Sequence, residues 1–117
     1  MKNCRNGPLA AAIMLSLLAG SAAAQPGIKL LIPSDDTCSA LLDALNNGDR
    51  EELLDLGGWA LGYLSGVAQQ SGRDILRDTT SESLIDRIAE TCQRDPKRAL
   101  SSVAMEIAQS LLATPPR

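Results

Sequence analysis

The sequence contains no histidine and no phenylalanine, and its aromatic residues are one tryptophan and one tyrosine. Without histidine the commonest general base near neutral pH is missing, and Ser-His-Asp and Cys-His constellations are excluded. Two aromatic residues make a poor stacking platform for sugars or bases. Carboxylates are plentiful, but the adjacent pairs Asp35-Asp36 and Glu51-Glu52 stand where helices are expected to begin and read as helix-start charges, not as a glycosidase pair. Neither G-x-G-x-x-G nor G-x-x-x-x-G-K-[ST] occurs, and no calcium-loop spacing is present. The expectation is a non-enzymatic protein with no cofactor and no metal.

Long apolar runs are equally scarce. The one that stands out, Pro8 to Ala19, follows Lys2 and Arg5 and gives way to small residues ending in Ala22-Ala23-Ala24. That is the layout of a secretory signal peptide over residues 1–24, cleaved after Ala24. The run is shorter than the roughly 20 apolar residues of a transmembrane helix. A lipoprotein would carry cysteine after Leu18-Ala19-Gly20, where Ser21 stands. The expected product is exported to the periplasm, soluble, and not inserted in the membrane.

Cleavage leaves 93 residues, enough for one small domain with a marginal core. They carry nine Lys and Arg against fourteen Asp and Glu, a net charge of −5. This excess argues against nucleic acid or an anionic membrane surface as partner. Cys4 leaves with the signal, so Cys38 and Cys92 remain. An even count in a small exported domain reads as one disulfide, with two free thiols or a metal site as the alternatives. Closing a loop of roughly 55 residues stabilises a fold by about 4 kcal/mol in the chain-entropy account.

Residues 25–36 read as an N-terminal arm. Its apolar part, Ile28 to Ile32, has no second strand to pair with and is expected to lie extended on the helices, ending at Pro33. Four helical signals follow over residues 37–114. Asp36 or Thr37 caps a helix with Cys38, Leu41, Leu42 and Leu45 on one face, closed by Asn46-Asn47-Gly48. Asp49 caps a second helix running to about Gln70, with Gly72 as its exit. Thr79 and Glu82 form a capping-box pattern before Leu84, Ile85, Ile88 and Cys92. Asp95-Pro96 is read as the cap and first residue of a last helix with the stripe Leu100, Val103, Ala104, Ile107 and Leu111. The expected fold is all-α: a small single-domain bundle of about four helices stapled by one disulfide.

The second helix contains GGWALGYLSGVA, residues 57–68, which holds the chain's only Trp, its only Tyr and four of its nine glycines. Gly58, Gly62 and Gly66 are four apart and make a groove along one side of a helix, each at a cost of about 1 kcal/mol relative to alanine. Close approach of another helix would offset that cost, with Trp59 and Tyr63 covering the helix that enters. A partner contact is the other reading of the same five residues.

Thr37-Cys38, Trp59-x-x-Gly62-Tyr63, Gly72-Arg73-Asp74 and Cys92-Gln93-Arg94-Asp95-Pro96-Lys97-Arg98-Ala99-Leu100 come in an order that resembles the HdeA/HdeB family, over roughly Thr37 to Ile107. The resemblance implies a small periplasmic all-α protein, an acid-activated chaperone that binds unfolding protein clients, with Cys38 and Cys92 as its disulfide pair and a homodimer left open. Gly62-Tyr63-Leu64-Ser65-Gly66 is also similar to an element of Tai-type immunity proteins, which neutralise type VI secretion effectors but usually carry further cysteines. That second resemblance implies a module holding one specific protein partner at neutral pH. In physical terms, acid that protonates fourteen carboxylates carries the mature chain from −5 toward about +9 on its side chains. Self-repulsion then loosens the helices while a disulfide prevents their dispersal.

Overall fold

The computed structural model describes Gly27 and residues 29–115, and the expected signal peptide lies outside them. The described residues form four helices: α1 (Cys38–Asn47), α2 (Arg50–Ser71), α3 (Ser81–Arg94) and α4 (Leu100–Ala113). No described residue is in a strand, and no described helix is long and apolar enough to cross a membrane. The all-α bundle read from the spacing of apolar residues is what forms.

Each helix start has a local cause. Thr37 caps α1 by accepting from Ala40 N at 3.1 Å, and Asp49 caps α2 by accepting from Glu52 N at 3.1 Å. Gly48 and Gly72 close those helices with φ of 67° and 66°, the left-handed region where a Cβ is strained. The third cap lies one residue later than expected. Thr80, not Thr79, caps α3, and its box partner is Ser83, not Glu82: Ser83 N donates to Thr80 Oγ1 at 3.1 Å and Thr80 N to Ser83 Oγ at 3.0 Å. Thr79 is held instead in the preceding turn, where its N–H donates to Leu76 O.

Asp95-Pro96 does not open the last helix. Asp95 closes α3, its side chain accepts from Lys97 N at 3.2 Å, and the chain turns through Pro96 to Arg98 before α4 starts. The carbonyls of that turn have an occupation elsewhere. Pro96 O accepts from Ser39 N and Arg98 O from Cys38 N, both at 2.9 Å, which satisfies amides that α1 leaves free in its first turn.

α1 and α4 each pack on α2 and α3. The core between them includes Cys38, Leu41, Leu56, Ala60, Leu64, Ile88, Cys92, Leu100 and Val103, with Leu42, Leu45, Ile85 and Leu111 half-buried at its rim. Cys38 and Cys92 are bonded, with Cα atoms 5.0 Å apart across 54 residues of sequence, and both are fully buried. The staple joins the first residue of α1 to the last turn of α3.

Candidate functional site

α2 is the longest of the four helices, and its charges are confined to its first six residues. Between Asp55 and Arg73 no residue is charged. Its inner face, Leu56, Ala60 and Leu64, is buried, while Gly58, Gly62, Ser65 and Gly66 are exposed. A Cβ built on Gly58, Gly62 or Gly66 would meet nothing within 4 Å. The expectation that these glycines admit another helix of the bundle is therefore not met: their side of α2 faces outward. The glycine that does serve internal packing is Gly57, where a Cβ would stand 3.1 Å from Ile85 Cδ1 of α3. Spacing alone favoured the run of 58, 62 and 66; burial shows that the packed edge is one residue, or 100°, away.

Trp59 and Tyr63 do not cover an entering helix. They stack on each other one turn apart, ring centroids 5.6 Å and planes 10° from parallel. Trp59 Nε1 donates to the carbonyl oxygen of Leu31 at 2.6 Å, so the segment ahead of α1 reaches the side of α2. Beyond Tyr63 a shallow groove of about 470 Å³ is lined by Gly62, Gly66, Val67, Gln70, Ser71 and Leu112. Leu54, on the same outer side of α2, is 64% exposed. The surface so made is aromatic and aliphatic with small residues between, suited to apolar polypeptide.

Two polar devices escaped the sequence reading because each joins residues distant in the chain. Ala99, the residue before α4, makes no capping bond of its own. Asp36 supplies it across 65 residues, accepting from Ser101 N at 2.8 Å and from Ser101 Oγ at 2.6 Å. At the other end of α4, Arg73 donates to Leu112 O at 2.6 Å and to Thr114 O at 2.5 Å, a cation at the negative end of the helix dipole. A second hollow, about 420 Å³ beside residues 72–79, has Arg73, Asp74, Arg77 and Asp78 on its walls, with Arg77 paired to Asp74 at 3.2 Å.

Among the described residues no three Cys, Asp or Glu side chains are grouped to hold a metal ion. The carboxyl of Glu82, in the first turn of α3, is held below the ordinary glutamate range by its own backbone amide and by the Thr80 hydroxyl. Among the described residues Arg98 also pairs with Glu106, at 2.7 Å.

These features define a small disulfide-stapled helical domain with an open, uncharged helix face. The HdeA/HdeB family model matches residues 9–102, and the chain belongs to that family. It is a family of periplasmic acid-stress chaperones that act on protein clients, not of enzymes. No curated protein and no solved structure gives a match.

Proposed function

We propose that the mature protein is an acid-activated periplasmic chaperone, exported by residues 1–24 and holding unfolding clients on the outer face of α2. Family membership carries this reading. The charge distribution supports it: fourteen carboxylates outnumber nine cations in the mature chain, and among the described residues only Asp74 and Glu106 are in ion pairs. Acid strips the negative charge and leaves the cations, four of which fall within residues 87–98, around Cys92. Repulsion then acts beside the staple, which keeps α1 and α3 joined as the helices loosen. The absence of histidine places the switch in the carboxylate range, below about pH 5.

Client contact is assigned to Trp59 and Tyr63 with Gly58, Gly62 and Gly66 between and beside them. The glycines keep the helix surface low, so that an extended backbone can approach between the larger side chains. No cofactor, metal or nucleic acid enters this function.

The test is light scattering from an acid-labile periplasmic client at about pH 2.5, below the carboxylate range, with and without a stoichiometric amount of the oxidised mature protein. Suppression in acid and none at pH 7 is the expected outcome. Unchanged client aggregation in acid refutes the reading and turns attention to capture of one specific partner at neutral pH.

A further inference from the structure

The segment ahead of α1 is fastened at two points. Its Leu31 carbonyl accepts from Trp59 of α2, and five residues later the Asp36 carboxylate takes both the amide and the hydroxyl of Ser101 in α4, with Leu100 N donating to Asp36 O at 3.4 Å. Little else is seen to hold it. Leu31 is 81% exposed, and Leu30 at 37% and Ile32 at 41% are covered only in part, so none of its three apolar side chains is fully withdrawn from water. A strip attached by a few polar contacts, with its apolar side chains only partly covered, opens more readily than the helices beneath it.

What the strip gives Trp59 is also informative. Lys29-Leu30-Leu31-Ile32 is a non-helical, mainly apolar stretch that offers a main-chain carbonyl to the indole N–H. An unfolding client presents the same chemistry: exposed apolar side chains on an extended backbone with free carbonyls. α2 has no charged side chain from Leu56 to Ser71, so such a segment would strip no charge of water on binding there.

We propose that residues 29–36 are a releasable strap that occupies the client's place at Trp59, and that the Asp36–Ser101 bonds are its latch. Release frees the Trp59 N–H and the stacked Trp59–Tyr63 pair for an extended apolar segment of another chain, while Leu30, Leu31 and Ile32 add to the same surface. This rests on the chaperone reading and names which surface becomes available first. The charged groups around the latch are Asp35 beside it, which accepts from Thr37 Oγ1, and Lys97 and Arg98 in the turn ahead of α4, with Arg98 directed to Glu106. Among the described residues no cation pairs with Asp36, so the latch depends on Ser101 and the start of α4.

The experiment uses the oxidised mature protein and its Asp36→Ala and Ser101→Ala variants at pH 7, with far-UV circular dichroism to follow the helices. The probe is a synthetic peptide of residues 27–34, Gly-Ile-Lys-Leu-Leu-Ile-Pro-Ser. Trp59, the only tryptophan, reports both release and binding. Asp36→Ala is expected to shift Trp59 emission to the red with helix content unchanged and to bind the peptide about tenfold more tightly, because a larger fraction of molecules is open. Ser101→Ala, which leaves Asp36 its bond to the backbone amide, should move both quantities in the same direction by about threefold in affinity. Wild-type emission and wild-type peptide affinity in Ser101→Ala, together with either the same result or loss of helix in Asp36→Ala, overturns the latch. Failure of the wild-type protein to suppress scattering in acid would sink the chaperone reading, whereas the peptide titration decides the strap on its own.

Discussion

Replacing both bonded cysteines by alanine is the most severe change the fold is expected to register. The bond closes a loop of 54 intervening steps in sequence, and the loop-entropy relation assigns such a loop about 4 kcal/mol of stabilisation at 25 °C. Both sulfurs are fully buried, so their removal also leaves space between α1 and α3 that adds about 1–2 kcal/mol of lost packing. A domain of this length has about 5–14 kcal/mol of total stability. The double variant should therefore lose about 5–6 kcal/mol at neutral pH, from a third of its stability to all of it. Urea unfolding followed by far-UV circular dichroism gives the number directly, and a steeper denaturant dependence should accompany it because the unfolded chain is no longer closed into a loop. A loss below about 1 kcal/mol would refute the reasoning, since neither the loop term nor the packing term could then hold. The same variant tests the tether: after exposure to acid and return to pH 7 it should recover its helices more slowly than the bonded protein, and lose client protection.

Removing the Arg73 side chain beyond Cβ takes two donors from the last carbonyls of α4. The pair of bonds is charge-assisted, but Nε is buried with no partner and offsets part of the gain, so Arg73→Ala should cost about 1–2 kcal/mol in thermal or urea unfolding. Gly62→Ala and Gly66→Ala should each stabilise the isolated protein by about 0.5–1 kcal/mol, because the added methyl meets open space in a helix interior. Gly57→Ala should gain less or destabilise, as its methyl stands against Ile85 Cδ1. If clients use the low face of α2, Gly62→Ala will protect them less well although it is more stable, and scattering assays read that split. For Glu82 the folded pKa lies below the unfolded one, so its contribution is present above the unfolded value and is lost as pH falls through the lowered folded value. Glu82→Gln should flatten that part of the acid unfolding curve, and a carboxyl titration followed by NMR should find Glu82 below the ordinary glutamate range.

The elements of this protein were legible because each rests on neighbours in sequence. Thr37 and Asp49 stand three residues before the amides they cap, Gly48 and Gly72 stand where a left-handed turn is needed, and the stripes of α3 and α4 repeat at helical spacing. Even the staple was visible, since a small chain read as exported, with two cysteines on the inner faces of two helices, has few other uses for them. Local reading went astray where two local answers competed. Thr79 and Thr80 both stand before the third helix, and the choice fell to the one whose hydroxyl and amide pair with Ser83. Asp95-Pro96 has the composition of a helix start, yet the carbonyls of Pro96 and Arg98 turn toward α1, whose own first amides lacked acceptors.

The sequence by itself determined four helices over the described residues, most of their ends, the inward faces of α1, α3 and α4 and the bond between the first and third, because periodicity, caps and cysteine count are properties of short stretches. Only the tertiary structure decided that Gly57 is packed while Gly58, Gly62 and Gly66 look outward, that Asp36 caps a helix 65 residues away, and that Arg73 closes the far end of that same helix. Those outcomes depend on how four cylinders are rotated about their axes and which of their ends meet. Small rotations of about 100° separate a packed residue from an exposed one, and no short stretch of sequence carries that angle.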